Sequence, residues 1–250
     1  MRIRVPACIV LTGVLMAAGT AGADTVSYGT LSVTLNSVHS FSQVDISLNG
    51  GGWTSALAGV IDWQRNGGSY TGLGGDGNSD FKFYSFCDEL TQDVYFGGSY
   101  TFTVVDLQDS GGPAIGIAKA NLISELWGLH SADADTSAGA AAFQLAMWKI
   151  VYDTGTDLNT GNLQARPMYT GDNIPATAQS WLNQLDGSHP LATLYGMSSP
   201  TAQDQVFFVD PPLTPAHSSP VPLPSAVWTG TALLAGLVVR RIRRHHSARA

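Results

Sequence analysis

Charge is scarce in this chain, and positive charge is scarcest in its long central part. Only 12% of residues are Asp, Glu, Lys or Arg. Of the 12 Lys and Arg residues, Arg2 and Arg4 stand at the start, and Arg240, Arg241, Arg243, Arg244 and Arg249 at the end. The five between them (Arg65, Lys82, Lys119, Lys149 and Arg166) face all 19 acidic residues, which leaves residues 24–210 at −14. A surface of that sign repels phosphate backbones and excludes nucleic acid as a partner. It suits solubility, cations or basic partners. Cysteine is nearly absent too, with Cys8 and Cys87 alone. A repeat of fixed period is missing as well.

What the chain does have at its start is an export signal. Arg2 and Arg4 precede an apolar run over residues 5–16, and small residues follow, ending Ala21-Gly22-Ala23. A basic start, an apolar middle and an Ala-x-Ala-like exit form a secretory leader over residues 1–23, cleaved after Ala23. The apolar run is too short to be read as a span. Cys8 is lost with the leader, so the exported protein keeps Cys87 alone and cannot form an internal disulfide.

The other end carries an anchor. Residues 211–222 are rich in proline and read as an extended spacer. An apolar run over residues 226–239 then meets Arg240-Arg241-Ile242-Arg243-Arg244. Fourteen residues at about 1.5 Å each fall short of a bilayer core of about 30 Å. Counting from Leu223 to Ile242, with arginines snorkelling, closes most of the gap. Arginines stay on the cytoplasmic side, so residues 24–210 are expected to face outward.

Val221-Pro222-Leu223-Pro224-Ser225, a short hydrophobic helix and an arginine cluster together resemble the PEP-CTERM sorting signal, in the variant where Leu replaces the middle Glu. The resemblance covers residues 223–250 and the motif just before them. It implies processing by an exosortase, a membrane transpeptidase that cuts near the proline motif and passes the protein to the cell surface or extracellular matrix.

Between the ends, residues 26–35 and 44–48 alternate apolar and polar side chains, as half-buried strands do. Gly50-Gly51-Gly52, Gly67-Gly68, residues 72–80 and Gly97-Gly98 read as turns and loops. Residues 81–87, 99–105 and 205–209 are further strand candidates. Helical spacing marks residues 117–130, 137–152 and 175–185, with Asp135, Thr136 or Ser137 available to cap the second. The expected domain is α+β: a β-rich, sandwich-like ectodomain with two or three inserted helices, followed by the single hydrophobic anchor helix.

Two residues carry the candidate chemistry. In Phe81-Lys82-Phe83-Tyr84-Ser85-Phe86-Cys87, alternation places Cys87 on the face of Phe81, Phe83 and Ser85. A free cysteine there is either a small buried hydrophobe or a committed reactive group. In residues 140–151, Gln144 and Lys149 are the only polar side chains, about 140° apart around a helix. Lys149 is expected to reach solvent, so Gln144 points largely inward, stacked on Trp148 one turn later. A buried amide without partners costs about 1–3 kcal/mol, so it must be hydrogen-bonded or consumed.

This pairing of an aromatic-flanked cysteine with Phe143-Gln144-Leu145-Ala146-Met147-Trp148 is similar to the thioester domains of bacterial surface adhesins. The resemblance implies that the Cys87 sulfur joins the Gln144 side-chain carbonyl with loss of ammonia, within a shell that includes Phe86, Phe143 and Trp148. An amine on another surface would then displace the sulfur. No turnover, cofactor or metal is implied. Asp76-Gly77-Asn78-Ser79-Asp80 lacks EF-hand spacing and reads as a polar turn. His39, His130 and His189 are scattered, and no nucleophile signature surrounds Cys87 to suggest a Cys87–His130 hydrolase. An inert structural or carbohydrate-associated matrix module is the other reading of the same residues.

Overall fold

The computed structural model describes residues 26–73, 81–111, 115–188 and 192–208. The expected leader over residues 1–23, spacer over 211–222, Val221–Pro224 motif, anchor over 223–250 and turn at 76–80 lie outside them. The described residues form a β-rich α+β domain of seven antiparallel strands and three helices. Among them no helix is long and apolar enough to cross a membrane.

β1 (Ser27–Leu48) is the organising strand. It pairs with β4 (Ser99–Asp106) through its first residues, with β2 (Thr54–Gly67) through its middle, and with β5 (Leu163–Arg166) through its end. The sheet continues through β3 (Lys82–Cys87), β7 (Gln205–Phe208) and β6 (Leu194–Ser198), in the order β2-β3-β7-β6-β4-β1-β5. Because β1 also pairs with β2, the first six of these strands close into a ring. The strands thus make one sheet curled on itself, where sandwich-like layers were expected.

The sequence suggests two strands where β1 is one. Its register shifts at Ser32/Val33, Leu35/Ser37 and Val38/Phe41, and each shift turns a side chain off the regular alternation. Gly59 accommodates the last shift, since a Cβ there would run into the Ser40 carbonyl oxygen. β2 was not anticipated as a strand. Six successive residues, 58–63, are buried, so the period-2 signal is lost. α2 (Ser137–Tyr152) packs against β1 and β2 and covers part of that surface. β5 and β6, four and five residues long, were too short to stand out.

The helices α1 (Gly116–His130), α2 and α3 (Ile174–Leu182) fall close to their expected bounds. α2 is capped by Thr136, whose Oγ1 accepts the Gly139 N–H at 3.0 Å. Every residue of α2 from Gly139 to Ile150 is buried, so it is a central rod with no solvated face. That placement brings its side chains to the end of β3.

Candidate functional site

β3 loses β2 as a ladder neighbour after Ser85, which pairs with Ile61. Just beyond, Gln144 of α2 supplies what the ladder no longer does. Its Oε1 accepts the Cys87 N–H at 3.0 Å, and its Nε2 donates to the Cys87 carbonyl at 2.5 Å. The amide mimics a neighbouring strand and satisfies two buried backbone groups at once. The two residues that the sequence singled out are therefore in direct contact.

The Cys87 sulfur is free and buried, and it donates to the Glu89 carbonyl oxygen at 2.7 Å. Burial pushes the thiol well above its ordinary range and the Asp88 charge adds to this, while the Trp148 indole N–H and the Glu89 backbone oppose it. The group is a protonated thiol at neutral pH, the reverse of a poised thiolate. Trp148 Nε1 is buried without a hydrogen bond of normal geometry, so its N–H dipole acts on the sulfur as a weak, unsaturated donor.

A cavity of about 130 Å³ adjoins the pair, lined by Cys87, Gln144 and Trp148 together with Leu57, Ile61, Val94, Phe96 and Gln203. Phe96 and Leu57 are 64% and 49% exposed and mark its open side. Phe86 and Phe143, expected in the supporting shell, pack ring on ring at 4.6 Å and fasten β3 to α2. Trp127 stands edge-on to Phe143 at 5.7 Å and extends this packing to α1. Trp127 and Gln203 were not anticipated. Gln203 sits in a polar turn before β7, where no periodicity marks a residue as inward-facing.

One expectation is overturned. Lys149 does not reach solvent: it is 1% exposed, and its Nζ donates to Asp153 Oδ2 at 2.8 Å, the Thr160 carbonyl at 2.6 Å and the Leu163 carbonyl at 3.0 Å. The loop after α2 folds back and supplies acceptors that the helical pattern cannot show. Gln144 points inward, but not for the reason that Lys149 points out. Phe81, placed on the buried face, precedes β3 and is exposed.

A second feature went unseen in the sequence. Asp88, Glu89 and Asp204 are all buried beside the thiol segment. Asp88 Oδ2 accepts from Ser110 Oγ at 2.6 Å, while Oδ1 is buried without a partner. Burial, reinforced by Asp204 and Glu89, pushes the Asp88 carboxyl up to about 8. Burial likewise raises Asp204 to about 6. His130, far from serving the thiol, stacks on Trp181 at 4.5 Å and bonds Asp133. Among the described residues no group of three or more His, Cys, Asp or Glu could hold a metal ion.

No family model matches this chain, and neither a curated protein nor a solved structure shows significant similarity to it.

Proposed function

We propose that this chain is an exported cell-surface or extracellular-matrix protein, sorted by an exosortase through its Val221-Pro222-Leu223-Pro224 tail, that attaches covalently to amines through a Cys87–Gln144 thioester. The observation that carries the covalent part is the two-point clasp between the Gln144 amide and the backbone of Cys87, buried beside a cavity. The sorting part rests on the order of leader, proline motif, apolar run and arginines in the sequence.

The clasp suits the chemistry. Attack of the Cys87 sulfur on Gln144 Cδ forms the S–C bond and pushes negative charge onto Oε1. The Cys87 N–H already donates to that oxygen at 3.0 Å, where an oxyanion donor must stand. The thiol proton passes to the amide nitrogen, the C–N bond breaks and ammonia leaves. When an amine later attacks the same carbon, the C–S bond breaks, a proton from the amine returns to sulfur, and an amide remains at Gln144. Each molecule reacts once, by nucleophilic acyl transfer without turnover. Phe86 and Phe143, packed ring on ring, hold β3 against α2 and so keep Cys87 beside the Gln144 amide.

One observation favours an inert module instead: in the clasp both the Cys87 backbone groups and the amide are hydrogen-bonded, so the pair can serve as a tie without reacting. Intact mass separates the two readings. The thioester makes the purified protein lighter by one ammonia, and Cys87→Ala restores the unreacted mass. A wild-type mass equal to that of the processed sequence would leave the tie as the whole role of the pair.

A further inference from the structure

We propose that Gln203, together with the main-chain carbonyl of Glu89, receives the incoming nucleophile at this site and selects an unbranched primary alkylamine over water. The inference rests on the thioester reading above and concerns what the thioester reacts with.

The Glu89 carbonyl oxygen accepts two hydrogen bonds, from Cys87 Sγ at 2.7 Å and from Gln203 Nε2 at 2.7 Å. A carbonyl oxygen has two lone pairs, so both are in use. Thioester formation removes the S–H and leaves one lone pair vacant beside the sulfur. Because Gln203 must present its nitrogen to a carbonyl, its amide orientation is fixed. Its Oε1 has no hydrogen-bond partner among the described residues. Gln203 lines the same cavity as Cys87 and Gln144. The Glu89 carbonyl does not itself line that cavity, but it is hydrogen-bonded to two residues that do, so both acceptors stand next to the thiol.

A neutral primary amine carries two N–H groups and one lone pair. With one N–H on Glu89 O and the other on Gln203 Oε1, the lone pair is the group left to face Gln144 Cδ, which is the orientation that attack needs. A secondary amine can fill only one of the two acceptors. Water can fill both, and the rest of the cavity discriminates against it. Leu57, Ile61, Val94 and Phe96 line the cavity with aliphatic and aromatic groups. Each methylene buried there favours occupancy by about fourfold, and a stem that fills the space leaves no room for water.

The acceptors are held in place. Trp63 Nε1 donates to Ser85 Oγ at 2.7 Å, Ser85 Oγ to Gln205 Oε1 at 2.9 Å, and Gln205 Nε2 to the Gln203 carbonyl at 3.1 Å. The Asp88 N–H donates to the Asp204 carbonyl at 3.2 Å, tying the Glu89 segment to the Gln203 turn. Gln203 is therefore a positioning residue mounted on a buried relay across β2, β3 and β7.

The test uses purified full-length protein, wild type and Gln203→Met, with intact mass read first for the loss of ammonia and then during exposure to buffer alone, methylamine, n-butylamine, N-methylbutylamine and tert-butylamine. Wild type is expected to form an amide faster with n-butylamine than with methylamine, about tenfold slower with N-methylbutylamine, and not with tert-butylamine. Gln203→Met is expected to form the thioester and hydrolyse it at least as fast, while its amide yield relative to hydrolysis falls about tenfold. A thioester in both proteins with an unchanged ratio of amide to hydrolysis overturns the role of Gln203 and leaves the thioester standing. A wild-type mass without the loss removes both. Should Gln203→Met not form the bond, the amine series on wild type decides alone, and equal rates for all four amines overturn the inference.

Discussion

α2 buries two polar side chains five positions apart, Gln144 and Lys149, and the two ends of the helix treat them differently. At the C-terminal end, the Lys149 ammonium has three hydrogens and three acceptors, the Asp153 carboxylate and the carbonyls of Thr160 and Leu163. Asp153 is held below the usual carboxylate range despite burial, because Lys149 and the Leu163 and Asn162 amides donate to it. Every hydrogen is spent, so this end is scaffold. Near the middle, Gln144 also makes its bonds, but its surroundings keep unused capacity: an indole N–H without a hydrogen bond of normal geometry, a glutamine oxygen and a cavity. Burial alone does not distinguish a structural polar group from a chemical one. Leftover hydrogen-bonding capacity beside empty space does.

Substitution at each end sharpens that contrast. Lys149→Met removes the cation from a buried pair and strands Asp153 and two carbonyls, and is expected to cost about 3–5 kcal/mol in urea unfolding. The folded fraction of that variant should still lose one ammonia. Gln144→Leu is expected to cost less, about 1–3 kcal/mol, for leaving the Cys87 N–H and carbonyl unpaired, while abolishing the loss of ammonia entirely. Reversal of that order, with Gln144→Leu the more destabilising, would make Gln144 the structural residue and break the comparison.

How much of this was legible in the sequence depends on the range of the interaction involved. α2 was readable to the residue because its cap and its apolar run are local. Cys87 and Gln144 could be picked out because each is an oddity in its own segment, a lone thiol at the end of a strand and an amide in an apolar helix. Their contact is set by the ring of strands and could only be wagered upon. A solvated Lys149 would turn Gln144 inward, but Lys149 is itself buried, because its acceptors come from Thr160 and from Leu163 at the start of β5, 11 and 14 residues away. β2 was hidden because burial of successive residues erases alternation. Gln203, Asp88 and Asp204 were invisible for a common reason. Polar residues in turns look solvated until the fold brings another segment over them, and here 115 residues separate Asp204 from Glu89, to whose carboxylate its N–H donates.

The acidic pocket beside the thiol gives the smallest expected effect, a slope rather than a loss. With its carboxyl raised to about 8 by burial and by Asp204 and Glu89, Asp88 keeps a proton in the folded protein that it gives up above about pH 4 when unfolded. Between those values the folded state binds more protons at Asp88 than the unfolded one, so the Asp88 contribution to stability falls as pH rises and levels off above about 8. Asp204, raised to about 6, adds to the slope only below that value. Between about pH 6.5 and about pH 9 the raised Cys87 thiol adds a slope of its own at the upper end. The thiol contributes equally to wild type and Asp88→Asn, so it is the difference between the two that isolates Asp88. Asp88→Asn fixes the neutral form while keeping an acceptor for Ser110. Its melting temperature is expected to fall less than that of wild type over this range, by a few degrees. Equal slopes in the two proteins would mean that Asp88 is ionised beside the thiol, and the pocket would then be a charged neighbour of the sulfur rather than a neutral one.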